Sequence, residues 1–135
     1  MSRASRVAGR LAYGGVLVVP VRVNGQDFEF LVDTGSAYTG LAAPTAGYLG
    51  VVPQPTPGMR IARAHGPSIR VPTGRLEALS VGGHEVRNID VLILELPSEL
   101  RIDGLLGMDF LGRFRTTVEP DTATVILRAV RVADG

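Results

Sequence analysis

The sequence predicts an all-β domain, and three features point there. Glycine and proline are abundant, 17 and 9 in 135 residues, which favours short strands between turns over long helices. Apolar runs rich in β-branched residues recur, at residues 16–23 and at Val91-Leu92-Ile93-Leu94. Asn24-Gly25 follows the first of them and is a strong hairpin signal, because both positions tolerate positive φ. One or two short helices are expected beside the strands.

A chain of this length fits one domain with enough core to fold alone. Apolar residues make up 45% and the formal charge is +1, which argues against disorder and against a dedicated nucleic-acid surface. Every basic residue is Arg, and no basic block with interleaved aromatics accompanies them. With no cysteine, disulfides, thiolate catalysis and a cysteine zinc site are excluded. His65 and His84 stand far apart without metal-ligand spacing, so both are expected at the surface and no metal or cofactor is expected. No apolar run approaches the roughly 18 residues that span a bilayer.

In chain order, Arg3, Arg6 and Arg10 precede an apolar stretch at 11–21. Gly14, Gly15 and Pro20 interrupt it and no small-residue cleavage site follows, which opposes a signal peptide. Residues 1–10 are therefore expected as a flexible tail, residues 11–135 as one folded domain and the location as cytoplasmic. The 11–21 stretch is instead expected as the first strand of the fold. Residues 26–32 return as its partner, Phe28 and Phe30 on one face and Asp27 and Glu29 on the other. Thr39-Gly40-Leu41-Ala42 suits a short strand, and residues 44–49, between Pro44 and Gly50, a short helix. The prolines at 53, 55 and 57 make a stiff connector.

Residues 59–64 and a long strand at 69–80 predict a second hairpin with its tip at His65-Gly66-Pro67-Ser68. That hairpin is either plain surface structure or a flap over a site. After the Gly82-Gly83 turn, residues 84–96 end in the apolar run at 91–94, which predicts a strand buried on both faces. Gly104-Leu105-Leu106-Gly107 predicts a strand in a confined space, with glycines where another backbone approaches. Asp109 suits the N-cap of a short helix, and a hairpin turning at Pro120-Asp121 closes the chain.

The chemistry concentrates in Phe30-Leu31-Val32-Asp33-Thr34-Gly35-Ser36, where an apolar strand ends in a carboxylate, two hydroxyls and a glycine. Burying a charge costs several kcal/mol, of order 3–5, unless it is paired or hydrogen-bonded. Gly35 permits a tight turn that brings amide N–H groups to the carboxylate. The tetrapeptide alone is also ordinary turn chemistry. The strand before it and the second motif, about seventy residues on, favour a carboxylate held for use.

Together the two motifs, Asp33-Thr34-Gly35-Ser36 and Gly104-Leu105-Leu106-Gly107-Met108-Asp109-Phe110-Leu111, resemble those of the retropepsin-like (retroviral-type) aspartic proteases and their single-domain bacterial relatives. The resemblance implies a small acid-protease β-barrel in which the motifs cross. It implies a catalytic Asp33, a Thr34 that bonds across a dimer axis, and a Gly35 that binds substrate backbone. Leu105, Leu106 and Gly107 become the support beneath the Asp33 turn, and Ala64, His65, Gly66, Pro67 and Ser68 the substrate-binding flap. Peptide hydrolysis by this family's route needs two carboxylates sharing one proton. The chain has one Asp-Thr-Gly, so the implied enzyme is a homodimer with its site on the two-fold axis and a polypeptide substrate. A non-catalytic dimeric peptide-binding module on the same fold is the alternative.

Two departures from the family pattern carry expectations. Ala37 and Met108 stand where retroviral members commonly carry an ion pair, so that pair is absent. Ser36 replaces the usual retroviral alanine, and a hydroxyl donated to Asp33 would favour its ionised form and an acidic optimum that moves upward in Ser36→Ala. The Thr124-Val125-Ile126-Leu127 run either pairs with a partner's edge or completes the chain's own sheet.

Overall fold

The computed structural model describes residues 4–54, 59–61 and 66–130. Twelve strands and two short α-helices are found among them. In order they are β1 (Ala4–Ala8), β2 (Arg10–Leu11), β3 (Leu17–Val23), β4 (Gln26–Val32), β5 (Gly40–Ala42), α1 (Ala43–Leu49), β6 (Met59–Ile61) and β7 (Ile69–Val71). Then come β8 (Thr73–Val81), β9 (His84–Leu94), β10 (Gly104–Leu106), α2 (Met108–Leu111), β11 (Phe114–Glu119) and β12 (Thr124–Ala129).

Six strands close a barrel in the order β3-β4-β10-β5-β9-β8, because β8 pairs back onto β3 through Arg22↔Ser80 and Val23↔Leu79. The β3–β4 hairpin turns on Asn24 and Gly25, both at positive φ, as their side chains allow. Alternation along β3 aims Val19, Val21 and Val23 into the interior, where they meet Phe30, Leu41, Leu76, Leu79 and Leu106. Each fully buried side chain of this kind contributes about 1.5–3 kcal/mol. The apolar run on β9 is covered on both sides, with Val91 and Leu92 buried although they point oppositely. On the outer face of the β8–β9 pair, Arg75 hydrogen-bonds to Asp90, which raises the guanidinium above its usual value.

Several expectations are corrected. The stretch at 11–21 is not one strand, since a 3₁₀ turn at Tyr13–Gly15, with Gly14 and Gly15 at positive φ, folds β2 back onto β3. Residues 4–10 are not a tail. Their alternation buries Val7 and exposes Arg6, so Ala4–Ala8 adds to β12 as a strand, and Arg6 pairs with Glu119 at 3.0 Å. His84 is buried rather than at the surface, hydrogen-bonded to Ser5 at 3.1 Å and set edge-on to Phe114. The long strand expected at 69–80 divides at Pro72, which has no N–H to give a ladder: β7 pairs with β6, and β8 with β9. His65 and Ala64 lie outside the described residues.

A second sheet, in the order β1-β12-β11, packs beside the barrel. Val125 and Leu127 point from it into the common core with Phe110 and Leu111. Because β12 is paired on both sides within the chain, the Thr124–Leu127 run offers no edge to a partner. No helix among the described residues is long and apolar enough to cross a membrane.

Candidate active site

Residues 33–39 form the bend between β4 and β5, and the third strand, β10, runs through the gap between them. It lies parallel to β4, with Leu105↔Leu31 and Leu106↔Val32, and antiparallel to β5, with Leu105↔Gly40. This passage explains the glycines of the second motif. A Cβ on Gly104 would strike the Gly40 carbonyl and the Phe30 ring, and one on Gly107 would strike the Tyr38 carbonyl. Leu106 fills the space below the bend and is 1% exposed.

Three backbone bonds tie the bend to the second motif. Asp33 N–H donates to Leu106 C=O at 3.0 Å, Met108 N–H to Ser36 C=O at 2.8 Å, and Asp109 N–H to Ala37 C=O at 3.1 Å. The positions where relatives are expected to carry an ion pair are thus held by backbone contacts instead. Asp33 is half-buried, and Gly35 N–H donates to its Oδ1 at 3.1 Å, the one hydrogen bond on that carboxylate among the described residues. Thr34 and Gly35 are exposed beside it. The arrangement is a fixed acid with most of its hydrogen-bonding capacity open, suited to proton transfer with a bound molecule.

Ser36 does not serve Asp33. Its hydroxyl donates to the Tyr38 carbonyl at 2.8 Å, and having one proton it cannot also donate to the carboxylate. The expected route from Ser36 to an acidic optimum is therefore absent.

Asp109 was expected as a helix cap, but Gly107 occupies the cap position and the Asp109 carboxylate turns back to Thr39. Thr39 donates from its N–H to Oδ1 and Oδ2 at 2.9 and 3.0 Å, and from its hydroxyl to Oδ1 at 2.6 Å. The same hydroxyl accepts Gly107 N–H at 3.1 Å. Thr39 is fully buried, so these charge-assisted bonds are shielded from water. Sequence reasoning missed this pair; the available signal was a second carboxylate two residues after Gly107. Tyr38 and Met108, 41% and 43% exposed, flank the same crossing.

Of the expected flap, Gly66, Pro67 and Ser68 are described as an exposed bend before β7, with Gly66 at φ +87°. No group of three or more metal-ligating side chains occurs among the described residues.

A closed barrel with a strand passed through the bend that carries an Asp-Thr-Gly turn defines the class: an aspartic-protease fold of the small, single-motif kind. The sequence profile described as Aspartyl protease matches residues 19–110, and the chain belongs to the retropepsin-like aspartyl protease family. A retropepsin-like aspartic protease from Rickettsia conorii superposes with TM-score 0.69 at 22% identity, over 96% of this chain and 92% of that one. EIAV protease complexed with the inhibitor HBY-793 gives TM-score 0.55 at 19% identity, over 70% and 84%. The retroviral protease-like domain of Ddi1 from Leishmania major gives 0.51 at 22%, over 77% and 81%. No curated protein matches the chain.

Proposed function

We propose that the chain is an aspartic endopeptidase whose site forms when two copies bring their Asp33 side chains together on a two-fold axis. The observation that carries this reading is the state of Asp33: fixed by the crossing, half-exposed, and engaged by one backbone N–H. Two carboxylates in close approach share one proton, since like charges that near cannot both ionise.

The ionised member takes a proton from water as the water oxygen attacks the peptide carbon. The protonated member donates to the carbonyl oxygen, giving a neutral tetrahedral diol. The member that took the water proton then gives it to the nitrogen while the other takes a proton from a diol hydroxyl, so the C–N bond breaks, the carbonyl is restored as a carboxylic acid and the pair again holds one proton. No covalent enzyme intermediate forms and no cofactor is required. Substrate polypeptide lies extended across the axis, where backbone hydrogen bonds to Gly35 and to the bend at 66–68 hold it without dictating its side chains.

The test is cleavage of an unbiased peptide mixture between about pH 3 and 8, the range in which such a dyad holds one proton. Wild type and Asp33→Asn are compared at several protein concentrations. Cleavage that disappears in the variant and falls faster than linearly on dilution supports the reading. A folded, dimeric wild type that binds peptides but cleaves none at any pH overturns it in favour of a peptide-binding module.

A further inference from the structure

We propose that the second copy docks along the open edge of β11, edge to edge and antiparallel, with Thr117 on the two-fold axis; this rests on the dimeric-dyad reading above. The three-stranded sheet has two outer strands, β1 and β11, since β12 is paired on both sides. An open strand edge presents a row of backbone donors and acceptors and is a template for another strand. Beyond its pairing with β12, β11 has no strand neighbour among the described residues. It contains no proline, the usual means of blunting an edge.

The two edges are not equivalent with respect to Asp33. Two residues separate the end of α2 from the start of β11, and the first residues of α2 are bonded to the Ser36 and Ala37 carbonyls of the Asp33 bend. β1 instead packs toward the β8–β9 turn, where Ser5 meets His84. Of the two open edges, β11 is thus the one joined through α2 to the Asp33 bend.

Charge fixes the register. Along β11 the even positions Phe114 and Val118 face the core, and the odd positions Arg115, Thr117 and Glu119 face outward. Arg115 lies opposite Arg128 in the β11–β12 register, and no carboxylate pairs with Arg115 among the described residues. A two-fold axis reverses the strand, so with Thr117 facing itself Arg115 meets Glu119 of the partner subunit, and Glu119 meets Arg115 of the partner subunit. Glu119 is 36% exposed and shares one oxygen with Arg6, leaving the other for this contact. Shifting the register by two residues breaks both pairings.

The absence of cysteine from the chain makes the geometry directly readable. Directly opposed antiparallel residues have Cα atoms about 4.5–5.5 Å apart, within disulfide reach. Thr117→Cys is expected to give a reducible covalent dimer under mild oxidation, while Ser98→Cys, on an exposed turn, stays monomeric on denaturing gels. Arg115→Glu is expected to weaken dimerisation on the order of tenfold by sedimentation, since two attractive pairs become repulsive. Mixing it with Glu119→Arg should restore dimers, because only the mixed pair is complementary.

No disulfide at 117 together with no response to Arg115→Glu overturns the proposal, and if that protein still dimerises and cleaves, the peptidase reading survives alone. A wild type that stays monomeric at all concentrations also overturns it. A covalent Thr117→Cys dimer that cleaves nothing supports the interface and counts against the peptidase.

Discussion

Two carboxylates lie at the crossing, and the chain treats them oppositely. Asp33 and Asp109 are both half-buried, each two residues from a glycine of a motif. Asp33 receives one backbone N–H at 3.1 Å. Asp109 receives the buried Thr39 N–H and hydroxyl, three contacts of 2.6–3.0 Å. Local composition does not separate them. What separates them is which residue the crossing brings alongside: Thr39 arrives beside Asp109, and among the described residues the Asp33 carboxylate receives only the Gly35 N–H. A carboxylate saturated with donors holds structure, and one left under-coordinated on a rigid support is available for chemistry.

The sharpest way to break this contrast is to neutralise each acid and measure both activity and stability. Asp33→Asn keeps the shape and removes the proton acceptor. Peptide cleavage is expected to fall by roughly 10³-fold or more. Because Asp33 holds so little structure, its unfolding free energy in urea should change by less than about 1 kcal/mol. Asp109→Ala reverses the ranking for stability: it strands the Thr39 N–H and hydroxyl in the interior, at an expected cost of about 2–4 kcal/mol. A variant Asp33→Asn that unfolds more readily than Asp109→Ala would refute the division of roles.

Much of the barrel was legible in the sequence because its signals are local. The bounds of β4 follow from Asn24-Gly25 on one side and Asp33 on the other, and the α1 helix from Pro44 and Gly50. The glycines of the second motif announced a close passage without saying whose backbone was close; it proved to be Gly40 and Tyr38. What was not legible depends on distant partners. β1 is a strand only because β12, about 120 residues later, supplies its ladder, and a lone segment with arginines at 3, 6 and 10 reads as a tail. His84 is buried only because that same strand brings Ser5 over it. The role of Asp109 was hidden for the same reason, its donor lying 70 residues earlier.

Thr39→Val sharpens the comparison at intermediate scale. The substitution keeps the β-branched volume and the backbone N–H to Asp109, and removes only the hydroxyl. Two bonds go with it: the 2.6 Å contact to Oδ1, and the acceptor for Gly107 N–H at 3.1 Å. The expected loss is about 1–2 kcal/mol, less than for Asp109→Ala because the carboxylate keeps its other donor. If the two variants are equally unstable, the hydroxyl is the whole of the clamp and the backbone N–H contributes nothing.

The smallest effect is expected from Ser36→Ala, and its value lies in the pH axis. Were the hydroxyl donated to Asp33, its removal would make ionisation harder and move the acid limb of the activity profile upward. The hydroxyl instead donates to the Tyr38 carbonyl, within the bend and away from the carboxylate. Only one hydroxyl–carbonyl bond is removed, so the stability loss should be about 1 kcal/mol. The pH profile of peptide cleavage should superimpose on that of the wild type. An upward shift would mean that in the assembled dimer the Ser36 hydroxyl rotates from Tyr38 to Asp33, making the site's proton affinity a property of assembly rather than of the isolated bend.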